Sequence, residues 1–447
     1  MIRTKRGLKI PISGQPSDSL EQGNPVSSVA VIGPDFTGMK PTLFVKEGQT
    51  VQIGEKLLEC KKTPGLIFTS PAAGKVARIS RGERRAFQAV EIRVSSDDYV
   101  EFAQYKRKPP ESYSKEEIRK LLLESGMWTS IRQRPFDKTP ALDSEPHSIF
   151  VSAIDTQPLA MDPKTVISKR YQEFREGLAI LSKLPEHHVY LCTDKYGINF
   201  PELPNLKSTR ISGIHPAGNV GTQIHFLEPV SPQKNVWHVG YQDVIAIGHL
   251  FRTGRLDTER WIALGGPRAK NPRILKTRLG ANLKDLLKGE IEKEETTRAI
   301  SGSVLNGRKV DNEFCFLGRF HNQVSCIEED TSRVLLGWHS PGFNKFSQKR
   351  IYVSKLLFGR KFALGSSTHG SPRAMVPTGS FEEITPLDIL PTQLLRALLS
   401  KDTDTAQALG CLDLAEEDLA IYTFVSPGKI DFGSALRENL TQIEREG

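Results

Sequence analysis

The chain has 447 residues, 38% of them apolar, with 61 Lys and Arg against 52 Asp and Glu. That size suggests roughly three domains, and the composition excludes a disordered chain, a coiled coil and a collagen. No apolar run approaches the ~18 residues of a membrane span. The basic start, MIRTKRGLKIPISG, has neither an apolar stretch nor a small-residue cleavage site. The expectation is therefore a soluble intracellular chain without a signal peptide.

Charge is uneven along the chain. Residues 381–447 carry 13 acidic and five basic side chains, whereas the rest of the chain is strongly basic. A basic body with an acidic tail suits nucleic acid, an anionic membrane surface or an acidic protein partner, and charge alone does not choose among them.

In chain order, residues 26–95 read as six short β runs (26–33, 42–48, 55–60, 65–71, 74–80 and 88–94) separated by Gly and Pro. Val45, Glu47, Gly48, Val51, Gly54 and Leu57, then Pro71, Gly74 and Val76, form a pattern that resembles the barrel-sandwich hybrid of biotinyl and lipoyl domains. Such domains can carry a prosthetic group on a lysine at a hairpin tip, near which Lys61 and Lys62 stand. Their context, ECKKTPGLIF, differs from the modified type, so a packing or docking module is expected.

A polar connector over 96–113 leads to Ser114 and Glu117, a capping box that opens a helix ending near Gly126. The apolar run 149–154 predicts a buried parallel strand. Asp162 and Pro163 then start one long helix to about Lys183, and 188–193 predicts a second strand. Strand, helix, strand is a βαβ unit, so the middle of the chain is expected to be a Rossmann-like α/β domain. Residues 257–307 predict a small α+β unit with a helix at 281–289. Residues 308–380 read as strand-rich, and the last 65 or so as helical. The expected organisation is a barrel-sandwich-hybrid β domain (1–100), a Rossmann-like α/β domain (101–256), a ubiquitin-like, SLBB-type α+β and strand-rich region (257–380) and a C-terminal helical domain (381–447).

Few segments carry a chemical signature. Cys60, Cys192, Cys315, Cys326 and Cys411 include no C-x(2–4)-C clip, and the histidines no H-x-x-x-H, so no metal site is expected. There is no G-x-S-x-G, no G-x-G-x-x-G and no Walker A, which leaves no catalytic residue to name. Gly213, Gly218 and Gly221 precede an apolar stretch and suit a structural loop or, less directly, a phosphate cradle. The five cations of 268–278 suit a solvated or docking face. No RNA- or DNA-reading motif accompanies them, so no nucleic-acid partner is expected. Two loops mix aromatic and cationic side chains: 33–41, with Phe36, Gly38, Met39 and Lys40, and 127–140, with Trp128, Arg132, Arg134, Phe136 and Lys138. An aromatic face beside a cation can hold a planar, electron-poor ring, although both loops also suit anchoring between domains.

Long strings carry a further resemblance: IRTKRGLKIPISG (2–14), SPAAGKV (70–76), IRQRPFDKTP (131–140), HPAGNVGTQIHFLEPV (215–230), SGSVLNG (301–307), LGWHSPG (336–342) and the run from 375 to 420. Through these the chain resembles the A subunits of the sodium-translocating NADH:quinone oxidoreductases over nearly its full length. The resemblance implies a peripheral subunit on the cytoplasmic face of the bacterial inner membrane. Its partners would be five other subunits, especially a quinone-associated membrane subunit, in a complex that reduces ubiquinone and exports Na+. The family also resembles the flavin-binding subunits of complex I and of the Rnf complex. Their cysteine cluster motif and Gly-rich flavin loop are missing here, as is the covalent-flavin S-G-A-T, so no tightly bound cofactor is expected. Phe36, Gly38, Met39, Trp128, Arg134, Phe136 and Lys138 become the candidate quinone-binding residues. A pure scaffold of the same complex, an Rnf-type flavin electron carrier and a biotin or lipoyl carrier are the rival readings.

Overall fold

The structure, a computed structural model, describes residues 1–198, 200, 202–311, 314–331, 339–349, 351–357 and 359–446. Part of the 336–342 string therefore lies outside the described residues. The N-terminal segment forms two short strands, β1 (Ile2–Arg3) and β2 (Leu20–Gln22), that join sheets built mainly by later parts of the chain.

The first compact unit contains β3 (Ser28–Ile32), β4 (Pro41–Leu43), β5 (Thr50–Val51), β6 (Lys56–Cys60), β7 (Ile67–Thr69), β8 (Ala73–Arg81) and β9 (Phe87–Ser96). They form two antiparallel sheets, ordered β3-β9-β8-β5 and β4-β6-β7. Val45, Val51, Leu57 and Val76 of the sequence pattern are all buried between them. Gly48 and Gly54 take φ of +88° and +90° at turns, a region open to Gly at no steric cost. The run expected to extend through 42–48 keeps its strand only to Leu43.

The α/β unit follows with α1 (Lys115–Glu124), β10 (Arg132–Arg134), β11 (Ser148–Ala153), α2 (Pro163–Lys169), α3 (Tyr171–Leu181), β12 (His188–Thr193), β13 (Leu206–Ser212), α4 (Val220–Leu227), β14 (Val236–Gly240) and α5 (Tyr241–Thr253). Ser114 and Glu117 close the capping box as expected, and Gly126 lies in the left-handed region just past the helix. The sheet order is β1-β13-β12-β11-β14-β10, parallel except for β10. The single helix expected from 163 to 183 is two. Arg170 breaks it at φ −119°, ψ 36°, with its guanidinium drawn to Glu173, Asp257 and Glu259. Helices α3 and α5 cross where both carry glycine. A Cβ on Gly177 would lie 2.0 Å from the Val244 carbonyl oxygen, and one on Gly248 1.9 Å from that of Glu173.

A third sheet, ordered β18-β17-β19-β15-β16-β2, uses β15 (Glu259–Gly265), β16 (Arg273–Arg278), β17 (Thr297–Ser301), β18 (Arg308–Lys309) and β19 (Gln323–Glu328). The helix expected at 281–289 is a single turn, α6 (Leu283–Leu286). Beyond β19 the strand-rich expectation is not met. Among the described residues from 329 to 379 there are isolated bridges at Phe362 and Gly365 and a 3-10 turn at Val353–Leu356, but no strand of a sheet. Pro341, Pro372 and Pro377 cannot donate to a ladder, and the glycines between them weaken any strand. The C-terminal helices are α7 (Ser380–Ile384), α8 (Pro391–Ser400), α9 (Thr403–Ala408), α10 (Glu416–Val425) and α11 (Phe432–Glu446), packed around Phe381, Leu394, Leu398, Ile421, Phe432, Leu436 and Leu440. No helix among the described residues is long and apolar enough to cross a membrane.

Candidate functional site

The two aromatic–cationic loops meet. β10 ends in a tight hairpin in which Gln133 N donates to the Lys138 carbonyl at 2.7 Å. Phe136 and Asp137 turn it with positive φ. On the other side Gly38 has φ +75°, and a Cβ there would lie 3.3 Å from Lys138 Cε and Nζ. Phe36, mostly buried, sits edge-on to Phe68 at 4.7 Å and to Phe320 at 6.1 Å between ring centres. Arg132 stacks over the Phe320 ring at 4.4 Å. Met39 packs on the same core.

Beside Phe36 a cavity of about 60 Å³ opens where the hybrid barrel, the α/β unit and the third sheet converge. Phe68, Met127, Leu256, Leu317 and Arg319 are among its walls. Its cations are already engaged. Arg260 Nη2 and Arg319 Nη2 lie 2.5 and 2.9 Å from Asp243 Oδ1, and Asp35 accepts from Arg308 Nη1 and from the Arg319 backbone N–H, both at 2.8 Å. That volume is far below the ~300 Å³ of a small-molecule pocket, so the cavity has room for waters rather than a ring.

The far side of the hairpin is a buried ionic network. Arg134 is fully buried: Nε lies 3.1 Å from Asp137 Oδ1, Nη1 lies 3.1 Å from the Asp413 carbonyl and 3.3 Å from Asp418 Oδ2, and Nη2 lies 3.5 Å from Glu417 Oε1. His238 Nε2 lies 2.9 Å from Asp137 Oδ1. Burial would raise the Asp137 carboxyl, but Arg132 and Arg134 outweigh it and hold it well below the usual carboxylate range. Burial lowers His238 to about 3, so it is neutral and donates to Asp137. Burial raises Glu417 to about 7 and also raises Asp418. Arg437 Nη1 donates to the Phe136 carbonyl at 2.6 Å, and Lys138 pairs with Glu444.

The Gly-rich loop joins the same network. Asn219 Nδ2 donates to Asp418 Oδ1 at 3.1 Å, and a Cβ on Gly221 would lie 2.3 Å from Asp418 Oδ2. Asp413 accepts from Val230 N at 2.9 Å and meets His225 Nδ1 at 3.2 Å. The loop's glycine thus admits a carboxylate from α10 to the start of α4, in the place a phosphate would take in a cradle.

Of the seven candidate residues, the structure brings Phe36, Gly38, Met39 and Lys138 to one junction. Trp128 is fully buried in the core, with Nε1 donating to the Pro140 carbonyl at 3.0 Å and its ring edge-on to Trp237 at 5.2 Å. Arg134 and Phe136 face the C-terminal helices. The partners Asp137, His238, Asp413, Glu417 and Asp418 were not singled out from sequence. Their strings stand far apart, and no local spacing links them. The cations of 268–278 are largely paired, Arg268 with Glu328, Arg273 with Glu21 and Glu290, Lys276 with Glu259 and Arg278 with Asp97. Lys61 and Lys62 lie exposed on the turn after β6. All five cysteines are buried and unbridged, and burial raises the Cys326 and Cys411 thiols to about 12.

Comparison with known proteins gives this geometry a family. Residues 2–95 match the model of the NqrA N-terminal barrel-sandwich hybrid domain, 113–256 that of the NqrA second alpha/beta domain, and 261–312 that of the NQRA C-terminal domain. The A subunit of the Na+-translocating NADH-quinone reductase of Hahella chejuensis is 50% identical over 449 residues, covering 100% of both chains. The corresponding protein of Cellvibrio japonicus is 51% identical with the same coverage. A solved NAD+-reducing nickel–iron hydrogenase in the air-oxidized state aligns with 75% of this chain and 64% of its own, at 14% identity and a TM-score of 0.40. At half identity over its full length, the chain belongs to the NqrA family, the A subunits of the Na+-translocating NADH-quinone reductases.

Proposed function

We propose that this chain works as the NqrA component of a Na+-translocating NADH-quinone reductase, the complex that passes electrons from NADH to quinone and moves Na+. The observation that carries this reading is the full-length identity of about half with proteins of that name. In the finer reading the chain is peripheral, stands on the cytoplasmic face of the inner membrane with five partners, and has no tightly bound redox centre. Its four units follow the bounds 1–100, 101–256, 257–380 and 381–447. An ancestry shared with the flavin-binding subunits of complex I and Rnf belongs to the same reading. Exposed apolar side chains support a docking role: Ile351 and Leu356 are 73% and 72% exposed, with Phe343 and Val376 also in the open.

The chain's part in quinone chemistry is to supply one wall of a site. Phe36, Gly38, Met39 and Lys138 form the contact face, and Trp128, Arg134 and Phe136 hold that face from behind. The cavity beside Phe36 is too small for a ring, which favours a quinone held between this chain and a membrane partner. A scaffold without quinone contact is the alternative. The test of membership is genetic: membranes lacking this chain should lose Na+-stimulated NADH-quinone reductase activity and regain it with the gene. Unchanged activity in its absence would refute the reading. Photo-crosslinking of the assembled complex with a quinone analogue tests the finer part. Labelled peptides should come from 33–41 or 127–140, and a labelled complex without label there would leave only the scaffold.

A further inference from the structure

We propose that His147, Glu186 and His187 form a surface site for a divalent transition metal of the zinc type. The three residues come together because two parallel strands start side by side. In the β11–β12 register Ser148 faces His188, which sets His147 next to His187 at the strand entrances. The backbone fixes all three ligands. His187 N donates to the His147 carbonyl at 3.1 Å, Glu186 N to the Pro146 carbonyl at 3.1 Å, and His147 N to the Asn235 carbonyl at 3.0 Å. The two imidazoles lie 4.1 Å apart between ring centres, tilted by 52°. One ligand atom from each residue lies within 4.8 Å of the other two. In a tetrahedral zinc site such atoms stand about 3.3 Å apart, so the three side chains must close in by up to about 1.5 Å to bind the ion.

A second observation points the same way. His147 Nε2 lies 3.4 Å from Glu228 Oε1, and Glu228 is itself held by the Tyr190 hydroxyl at 3.0 Å and by Lys234. At 3.4 Å the Glu228 carboxylate is an electrostatic neighbour of the imidazole rather than its hydrogen-bond partner, and it is placed as the outer-shell carboxylates of metal-bound histidines are. Two imidazoles and one carboxylate favour a borderline ion such as Zn2+ over Mg2+ or Ca2+, which prefer all-oxygen sites. His147 is half-buried, whereas Glu186 and His187 are exposed, so water completes the coordination. The site lies at the entrance ends of β11 and β12, the two central strands of the α/β sheet, shares no residue with the Phe36 junction and does not depend on the quinone reading. Its sequence trace is faint, since the ligands stand forty residues apart and only the strand register unites them.

Equilibrium dialysis of the full chain against Zn2+, with Mg2+ in excess, tests the proposal. One zinc per chain is expected. The variants His187→Ala and Glu186→Gln should each weaken binding at least about tenfold, and Glu228→Gln by about tenfold or more through the outer shell. All are surface changes, and far-ultraviolet circular dichroism checks that the variants stay folded. Co2+ in place of Zn2+ should give visible absorption bands that His187→Ala abolishes. A chain that takes up no zinc, or a folded His187→Ala variant that binds it as tightly as the parent, would overturn the site.

Discussion

Arg134 Nη1 lies 3.3 Å from Asp418 Oδ2, a contact between residues 284 apart in sequence and between two side chains almost wholly removed from water. It ties the edge strand of the α/β sheet to the first turn of α10. Removing one partner of a buried ion pair leaves an uncompensated charge, which costs about 3–5 kcal/mol. Arg134→Met is therefore expected to lower the urea stability of the chain by about that amount. Arg134→Lys should recover only part of it, because an ammonium cannot reach Asp137, Asp418 and the Asp413 carbonyl together. Equal stability of Arg134→Met and the parent would show that the network contributes nothing net.

Buried histidines give the fold a pH signature. His215 and His238 are buried, and burial lowers them to about 4 and about 3. Their unfolded values are about 6.5, so below that pH the unfolded chain binds protons that the folded chain refuses. Stability is complete above pH 6.5 and falls as the pH drops toward the folded values, at up to about 1.4 kcal/mol per pH unit for each histidine. Glu417 acts in the opposite sense. Burial raises it to about 7, so its contribution declines as the pH rises from about 4.5 to 7. Asp418 and Asp155, also raised by burial, act in the same sense down to about pH 4, so the carboxyls offset part of the histidine loss and Glu417 drops out of that offset below about pH 4.5. Asp137, held below the usual carboxylate range, adds a further loss at still lower pH. Urea midpoints are expected to fall gently from pH 6.5 to 4.5 and steeply below. His238→Gln keeps a donor for Asp137 and should flatten that slope. A midpoint that rises on acidification would contradict this account.

Gly221 gives a third test. Its conformation is open to any residue, so a substitution acts only through space, and a Cβ there meets the Asp418 carboxylate at 2.3 Å. Both oxygens of that carboxylate are in use, one on Asn219 and one on Arg134 and the Ala415 N–H. Gly221→Ala must push it away, at a cost of about 1–3 kcal/mol, as for other overpacked sites. Hydrogen exchange should quicken at 411–425 while β3–β9 stay protected. Unchanged exchange in that segment would mean the carboxylate has room to move.

These tests concern contacts that the sequence does not display. Ser114 and Glu117, or Asp162 and Pro163, are legible because a cap is local: a few adjacent residues satisfy the first turn of their own helix. The buried parallel strands at 148–153 and 188–193 are legible because burial on both faces demands an unbroken apolar run. Arg134 reads as a loop cation because its partners at 413–418 belong to another unit. Trp128 reads as a loop aromatic, but its place under Trp237 follows from how β14 lies beside β10. Gly177 and Gly248 look like weak points in their helices, whereas each allows the other helix to approach. Long-range complementarity of this kind leaves no periodicity along the chain.

Phe36 separates a packing role from a substrate role. Its ring is buried against Phe68 and Phe320, so Phe36→Ala would cost about 3–5 kcal/mol and confound any activity loss with unfolding. Phe36→Leu removes less volume and should cost on the order of 1–2 kcal/mol. Phe68→Leu, at the ring 4.7 Å away and itself buried, is the matched control. If Phe36 is part of the quinone wall, Phe36→Leu in the assembled complex should raise the KM for quinone several-fold and leave that for NADH unchanged. Phe68→Leu should then alter stability alone. Equal effects of the two variants on quinone KM would assign Phe36 to packing, because both remove about the same apolar contact and only Phe36 belongs to the loop that meets Lys138 at Gly38.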